Sequence, residues 1–329
     1  MGLLLLKVAL PAGIFAYLLW SVEPADYQTF FEQPKRWDLI LVAQLTSLAA
    51  VVLGFVRWRL LVRTFEIPFS LVEALRLGFI GYLLNFVSFG SVGGDLFKAV
   101  LVAKNKPQKR PEAVASILLD RALGLLGLVT LALVSLTVLP SEPLNEVLIW
   151  IRNSAAVLCV IAASGLAIAI YAGKWFEILL DQLRRLPVVG NALVRMARAV
   201  RLLRNKPWML GAMLVIALTI HGLLATSVYF VSCGLYPNCP TFYEHLLVVP
   251  PGMAAGALPL APGGIGYQEA ALATLFKQLP TSQPGFSGTL VATVYRLLML
   301  AIAGIGLMYY WLSDRKAINL DSPEADPDL

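Results

Sequence analysis

Apolar residues run along this chain in long stretches that are separated by short polar segments. A helix needs about 20 mostly apolar residues to cross a bilayer, and six segments reach that length. These segments are 3–21, 38–57, 113–138, 150–173, 208–232 and 286–312. Two further apolar regions, 69–103 and 242–279, are each interrupted by glycines. Each of these regions is therefore either two spans or one hairpin that enters and leaves the membrane on the same side.

The two glycine-rich interruptions resemble each other. The first is Gly90-Ser91-Val92-Gly93-Gly94-Asp95, and the second is Pro262-Gly263-Gly264-Ile265-Gly266, followed by Glu269. Glycine lets a backbone turn sharply and approach another group closely. A carboxylate just after such a break can cap the helix that follows. The pattern predicts two broken helices whose tips face each other inside a membrane.

Composition supports a membrane protein and excludes an ordinary soluble one. Hydrophobic residues make up 58% of the chain and charged residues 14%, against about 45–50% and about 25% in soluble domains. We therefore predict an all-α polytopic protein with a single transmembrane domain, 1–320, and a disordered acidic tail, 321–329. The formal net charge of +6 indicates cytoplasmic loops and no nucleic-acid partner.

The distribution of charge predicts the topology. Lysine and arginine concentrate in 57–66, 90–112 and 174–207 and after the last span, whereas 21–34 and 139–149 carry acidic residues. Basic connections of multi-pass proteins lie on the cytoplasmic side. All basic segments reach that side if both termini are cytoplasmic and if 69–103 and 242–279 are re-entrant hairpins. The expected fold is thus about six spans plus two opposed hairpins in the cytoplasmic membrane.

This threading implies an inverted repeat, with a first half over 1–138 and a second over 150–312. Three pairs of charged residues recur in the same order in the two halves: Glu73 with Glu244, Asp95 with Glu269, and Arg121 with Arg296. Proteins built in this way place their binding sites at mid-membrane, between the repeats and at broken helices.

The connection 174–207 is too polar to span, and it alternates leucine and aromatic positions with arginines at helical spacing. Two interpretations stay open. It is either an amphipathic helix on the cytoplasmic leaflet that attracts anionic head groups, or a basic connector that only fixes the topology.

Arg121 and Arg296 are the main candidates for binding, because each lies well inside a predicted span. An unpaired charge there is costly, so such residues are functional candidates by default. The alternative is a purely structural ion pair with one of three supporting carboxylates, Asp95, Asp120 or Glu269. Helix amino-terminal ends near Gly93, Gly94, Gly263 and Gly264 would add N–H donors, which also attract phosphate. Alternatively, these glycines only permit tight turns.

The sequence offers no catalytic or metal motif. His221 and His245 are isolated and are interpreted as packing or hydrogen-bonding groups. Cys233 and Cys239 flank a short predicted outer loop, where an oxidising compartment allows a disulfide, although two free thiols remain an alternative. We predict no cofactor, no metal and no enzymatic activity.

Three motifs resemble the lysylphosphatidylglycerol synthase transmembrane-region family of flippase-like membrane domains. They are Gly94-Asp95-Leu96-Phe97-Lys98, Leu118-Leu119-Asp120-Arg121 and Pro262-Gly263-Gly264-Ile265-Gly266-Tyr267-Gln268-Glu269. The family pattern is approximately G-D-x-x-R, E-R-x-x-D and P-G-G-x-G-x-x-E. The chain differs from it at Lys98, Asp120 and Gly124, lacks the proline before the first glycines, and shows no soluble aminoacyl-transferase domain.

The resemblance implies lipid handling and not lysyl transfer. The expected function is binding or translocation of an anionic lipid, either a phospholipid or a polyprenyl-phosphate-linked lipid, with membrane lipids as partners. One alternative is an accessory subunit of a lipid-modifying enzyme without transport of its own. Another is a membrane-embedded lipid transferase that uses Asp95 or Glu269 as a base. The sequence leaves the oligomeric state open.

Overall fold

The computed structural model describes most of the chain in detail. The described residues are 16–17, 19–20, 22, 24–87, 93–105, 107–140, 143–171, 175–185, 190, 194, 197–198, 200–201, 204, 207–257, 262–279 and 285–312. Most of the predicted first span 3–21, the segment 88–92 of the first glycine tip, much of the connection 174–207 and the tail 321–329 lie outside them.

The described residues form helices joined by short connections, with no β-strand among them. The helices are α1 (Pro24–Glu32), α2 (Trp37–Thr64), α3 (Leu71–Val87), α4 (Gly93–Asn105), α5 (Arg110–Val138), α6 (Glu146–Tyr171), α7 (Trp175–Arg184), α8 (Pro207–Leu235), α9 (Phe242–Ala257), α10 (Tyr267–Phe276) and α11 (Gly288–Leu312). Short 3₁₀ turns cover Pro107–Lys109 and Pro262–Gly264. The prediction of an all-α fold is confirmed.

Five of the described helices are long and apolar enough to cross a membrane. They cover Trp37–Thr64, Arg110–Val138, Glu146–Tyr171, Trp208–Leu235 and Gly288–Trp311. These helices match the five predicted spans from 38–57 onward, and the chain is a polytopic membrane protein. The remaining predicted span, 3–21, lies largely outside the described residues.

The basic connections gather at one end of the bundle. Lys109 donates hydrogen bonds to the backbone oxygens of Phe65 (3.1 Å) and Glu66 (3.2 Å), which joins two of these connections. Thr64 contacts the sulfur of Met209, at the start of α8, at 3.8 Å. The same end is closed by a buried apolar cluster that includes Phe176 of α7. The shared end agrees with the predicted topology, whose orientation stays a prediction.

The connection 174–207 is partly described. In α7, Phe176 and Leu180 are buried in the apolar cluster at the basic end of the bundle. The guanidinium of Arg201 lies 4.2 Å from the ring centroid of Phe176. Phe176 and Leu180 therefore pack on protein, while Ile178 is exposed. Whether the segment also contacts a leaflet stays a prediction.

Helices α2 and α8 run antiparallel along their whole lengths. The N–H of Arg36 donates to the carbonyl of Gly234 (3.0 Å) at one end, and Thr64 meets Met209 at the other. In the middle, the hydroxyls of Ser47 and Ser227 are 2.7 Å apart. An inverted repeat requires this opposite direction, because α2 and α8 occupy the same place in the two predicted halves. The division into repeats remains a prediction.

Each glycine-interrupted region folds as two short helices that contact each other, α3 with α4 and α9 with α10. The first helix of each pair begins with the same reciprocal cap. Glu73 accepts from the N–H of Ser70 (2.7 Å), and Glu244 accepts from the N–H of Thr241 (2.7 Å). The predicted pair Glu73 and Glu244 thus consists of two caps that fix where the helices begin.

A disulfide joins Cys233 to Cys239, with 5.1 Å between the Cα atoms. It closes the turn after α8, at the opposite end of the bundle from the basic connections. This settles the alternative between bonded and free thiols that the sequence left open, and it fits an oxidising compartment on that side.

The topology gives a direct prediction. Gln108 is exposed at the basic end, and Glu146 is exposed at the start of α6 at the other end. In a background without other cysteines, Gln108→Cys is expected to react only with a membrane-permeant maleimide in intact cells. Glu146→Cys is expected to react with an impermeant one. Labelling of Gln108→Cys by the impermeant reagent would contradict both the orientation and the first re-entrant hairpin.

Candidate functional site

The tip of the first helix pair holds a carboxylate between two cations. Asp95, in the first turn of α4, is 5% exposed. Its oxygens bind Lys98, at 2.7 Å, and the Nε of Arg121. The Arg121 side chain comes from α5 and is 42% exposed, which makes it the open member of this cluster. The structure thus brings together Asp95 and Arg121, two of the candidate site residues.

The tip of the second helix pair holds its arginine in a different way. Arg296 of α11 donates from Nε to Glu269, from Nη1 to the carbonyl of Gly263 (2.8 Å), and from Nη2 to Gln268 (3.0 Å) and more weakly to the carbonyl of Gly264 (3.4 Å). The side chains of Arg296 and Glu269 are almost fully buried, at 6% and 1% exposure. Every nitrogen of this guanidinium already has a protein acceptor.

Glu269 also closes the start of α10, where its second oxygen accepts from the N–H of Gly266 at 2.7 Å. It therefore caps the helix and pairs with Arg296 at once. The backbone φ angles of Gly263 and Gly264 are +57° and +69°, a region that is unfavourable for residues with a Cβ. In this conformation the tip turns its carbonyls, and not its N–H groups, toward Arg296.

Both helix pairs are closed by a glycine-to-glycine backbone contact. A Cβ built on Gly94 would lie 1.8 Å from the carbonyl oxygen of Gly81, and one on Gly264 would lie 2.5 Å from that of Gly256. The N–H of Gly94 donates to the side-chain oxygen of Asn85 at 3.0 Å. Sequence reasoning missed Gly81 and Gly256, because each lies within an apolar run and marks no break.

A third ion pair was also missed. Arg57 of α2 donates from Nε to Asp120 of α5 at 2.8 Å, and from Nη2 to the backbone oxygen of Asp120 at 3.2 Å. The Arg57 side chain is 8% exposed. Arg57 directly follows the apolar stretch 38–56, and this was the available signal. Asp120 therefore binds Arg57 and not Arg121, the residue beside it.

The end of α3 meets the second glycine tip in the middle of the bundle. A Cβ on Gly263 would lie 2.6 Å from the ring of Phe86, near the end of α3. The guanidinium of Arg296 lies 5.9 Å from the centroid of the same ring. This contact brings the end of α3 against the glycine tip of the second helix pair, while the facing of the two tips inside a membrane stays a prediction.

Two neighbouring cavities lie at this meeting point. The first, ≈ 360 Å³, is bordered by all three members of the Asp95 cluster, by the Arg57–Asp120 pair and by His221. The second, ≈ 220 Å³, is bordered by Gly263, Gln268 and Arg296. They share wall residues, which are Tyr82, Asn85, Arg121, Leu128, His221, Leu224, Ala257 and Met299. Arg121 therefore borders both cavities.

The charged groups around the first cavity do not cancel. Three cations, Arg57, Lys98 and Arg121, border it together with two carboxylates, Asp95 and Asp120, so one formal positive charge is in excess while His221 is neutral. The corresponding positions of the second half are apolar or uncharged. Tyr295 precedes Arg296 where Asp120 precedes Arg121, and Leu272 follows Glu269 where Lys98 follows Asp95.

The two histidines are hydrogen-bonded in different places. His221 bonds through Nε2 to the carbonyl of Gly124 at 3.0 Å, and His245 bonds through Nδ1 to the carbonyl of Thr241 at 2.9 Å. Within the described part of the chain, no group of three or more histidine, cysteine, aspartate or glutamate side chains has the arrangement of a metal site.

Comparisons with known proteins agree with this architecture. The family model described as "Lysylphosphatidylglycerol synthase TM region" matches residues 4–306. The chain belongs to this family. It is also 24% identical over 293 residues to the UPF0104 membrane protein PH1989 of Pyrococcus horikoshii, a match that covers 82% of this chain and 86% of that protein. No solved structure matches the chain.

Proposed function

We propose that this family member binds an anionic lipid head group in its central cavity and carries it across the cytoplasmic membrane. The observation that carries the proposal is the excess positive charge around the first cavity. Charged groups deep in a membrane protein are costly unless paired, and they mark substrate pathways. A phosphate-bearing head group supplies the negative charge that the cavity lacks.

The volume of the cavity supports this choice of ligand. A space of ≈ 360 Å³ lies at the lower end of the range of ligand pockets, about 300–1,000 Å³. It has room for a head group but not for the acyl chains, which would remain among the helices or in the bilayer. In this proposal α3–α4 and α9–α10 are re-entrant hairpins with opposite orientations.

The two predicted arginines receive different roles in this proposal. Arg121 is half-exposed and borders both cavities, so it is the head-group contact. Arg296 holds the second tip closed through four hydrogen bonds, so it positions the wall along which the head group moves. Gly93 and Gly94 place Asp95 beside Arg121, and Gly263 and Gly264 shape the opposite wall.

The other functional classes have less support. A transferase that used Asp95 or Glu269 as its base would need a carboxylate free to accept a proton, whereas both are held by cations. An accessory subunit of a lipid-modifying enzyme would be expected to copurify with that enzyme and to move no lipid alone. A protein that acts alone moves labelled lipid in liposomes of purified chain, which discriminates the two.

Arg121→Gln is expected to reduce lipid retention and translocation by about ten- to a hundredfold, because a hydrogen bond to a charged group contributes about 1.5–3 kcal/mol. The variant should still fold, since Asp95 keeps Lys98 as a partner. Arg121→Lys should be intermediate, because lysine keeps the charge but loses the planar fork of donors. Native mass spectrometry of retained lipids and a fluorescent-lipid assay in liposomes measure both effects.

Arg152→Gln serves as the matched control, because Arg152 of α6 contacts Asn153 and borders neither cavity. It should bind and move lipid like the parent protein. A well-folded Arg121→Gln variant that behaves in the same way as this control would reject Arg121 as the head-group contact.

A further inference from the structure

Three buried polar atoms on residues that border the first cavity lack hydrogen-bond partners among the described residues. They are Nη1 of Arg57, Nδ1 of His221 and the indole Nε1 of Trp58, and the first two lie on charged or titratable groups. Leaving a buried donor or acceptor unpaired costs about 1–3 kcal/mol, and more for a charged group. Such atoms call for an explanation wherever they occur.

The surroundings of Arg57 show which of its donors is left over. Its Nε donates to the carboxylate of Asp120 and its Nη2 to the backbone oxygen of Asp120, which fixes the plane of the guanidinium. Gly124 lies next to the same group, and a Cβ there would be 3.2 Å from Nη2 and 3.7 Å from Nη1. Gly124 presents no side chain to Nη1, which has no acceptor among the described residues. Arg57 and Gly124 both border the cavity.

The ring of His221 adds a hydrogen-bond acceptor to the donor on Arg57. A carbonyl oxygen only accepts, so the contact of Nε2 with the carbonyl of Gly124 (3.0 Å) places the proton on Nε2. In a neutral imidazole the other nitrogen is then an acceptor. Nδ1 of His221 would repel a phosphate oxygen and would bind a hydroxyl hydrogen.

We propose that Arg57 and His221 form the specificity pair of the cavity. Nη1 of Arg57 donates to a phosphate oxygen, and Nδ1 of His221 accepts from a hydroxyl of the same head group. This inference rests on the proposed lipid function and deepens it. The ligand class is a lipid phosphodiester with one negative charge and a hydroxyl-bearing head. A single negative charge balances the single positive charge in excess around the cavity.

The same pair also determines which head groups fit less well. A zwitterionic head carries its own cation and leaves the excess charge of the cavity unbalanced. A phosphodiester capped by a methyl group leaves Nδ1 unpaired. Both atoms of the pair are shielded from water in this structure, so binding includes a small rotation of the lining side chains that brings them to the cavity surface.

Gly124→Asp and Gly124→Asn test the role of Arg57 with two side chains of the same shape. The aspartate supplies an internal carboxylate to Nη1 and removes the excess charge, whereas the asparagine offers Nη1 only a neutral amide oxygen and keeps the excess charge. Gly124→Asp is expected to bind dioctanoyl phosphatidylglycerol at least tenfold more weakly than Gly124→Asn. Binding to the purified full-length chain in detergent is measured from tryptophan fluorescence or by isothermal titration.

Phosphatidylmethanol tests the role of His221, because it has the same charge but no hydroxyl in its head group. The parent protein is expected to prefer dioctanoyl phosphatidylglycerol over the phosphatidylmethanol analogue several-fold. In His221→Phe this preference should disappear, while phosphatidylmethanol binds as tightly as before or more tightly. An unchanged preference in His221→Phe would overturn the assignment of Nδ1.

A further variant keeps the test decisive if Gly124→Asp does not fold. Arg57→Gln combined with Asp120→Asn removes the donor together with its carboxylate, so neither charge is left alone, and it should also lose at least tenfold in affinity. Equal binding by Gly124→Asp and Gly124→Asn, together with loss of binding in Arg121→Gln, would overturn the pair and leave the proposed function standing. No binding of either lipid to the parent protein would overturn both.

Discussion

Arg296→Gln is expected to destabilise the protein by about 3–5 kcal/mol, the typical cost of leaving a buried charge without its partner. Glu269 is 1% exposed, and among the described residues Arg296 is its only cationic partner. The substitution also removes the donors for the carbonyls of Gly263 and Gly264. The second tip should therefore loosen. The melting temperature in detergent, read by tryptophan fluorescence, measures the effect.

Two further variants sharpen this prediction. Arg36→Gln removes an arginine from an ion pair in which both side chains are 64% exposed, and such pairs contribute about 0–1 kcal/mol. It should melt close to the parent protein. Glu269→Gln combined with Arg296→Gln should recover part of the loss, because no buried charge is then unpaired. A melting temperature of Arg296→Gln equal to that of Arg36→Gln would contradict the structural role.

Arg121 and Arg296 hold equivalent positions in the two predicted halves, but their carboxylate partners differ in how many cations they bind. Among the described residues, Asp95 has two cationic partners and Glu269 has one. Arg121 can therefore move away from Asp95 while Lys98 still pairs with it, whereas Glu269 would lose its cation if Arg296 moved. The predicted inverted repeat would therefore have one open tip and one locked tip. In the proposed mechanism the head group exchanges partners at the open tip while the locked tip keeps its shape.

Much of the architecture followed from the sequence because it depends on local patterns. The apolar stretches predicted five helices that the structure contains, since the length of a span is set by the bilayer. The sequence named Asp95, Asp120 and Glu269 as possible partners of the two arginines, and the structure pairs Asp95 with Arg121 and Glu269 with Arg296. In both cases a charge in an apolar stretch must find a partner, and few partners exist.

The features that the sequence did not predict depend on contacts between distant helices, which no local sequence pattern encodes. Arg57 was assigned to a cytoplasmic connection, because the apolar stretch ends there. Helix α2 continues to Thr64, so Arg57 lies within the helix and reaches Asp120 on α5. Likewise, the sequence could not distinguish the environments of Arg121 and Arg296, because two of the four acceptors around Arg296 are backbone carbonyls of a folded tip.

Gly94→Ala is expected to disrupt the first tip at a cost of about 3 kcal/mol or more, at the upper end of the range for overpacking. The new Cβ would lie 1.8 Å from the carbonyl oxygen of Gly81 and 2.7 Å from the side-chain oxygen of Asn85. A backbone carbonyl in a helix cannot rotate away, so α3 and α4 must separate. Separation moves Asp95 from Arg121 and breaks the hydrogen bond from Gly94 to Asn85.

Gly304→Ala and Gly165→Ala are matched controls for this substitution, because a Cβ at either position meets nothing within 4 Å. Alanine is favoured over glycine in a helix by roughly 0.5–1 kcal/mol, so both controls should melt at or slightly above the temperature of the parent protein. Gly94→Ala should lose both melting temperature and retained lipid, because the same glycine closes the hairpin and places the carboxylate that holds Arg121. A Gly94→Ala variant that melts like Gly304→Ala would show that α3 and α4 do not pack through this contact. The head-group site would then have to be held by the ion pairs alone.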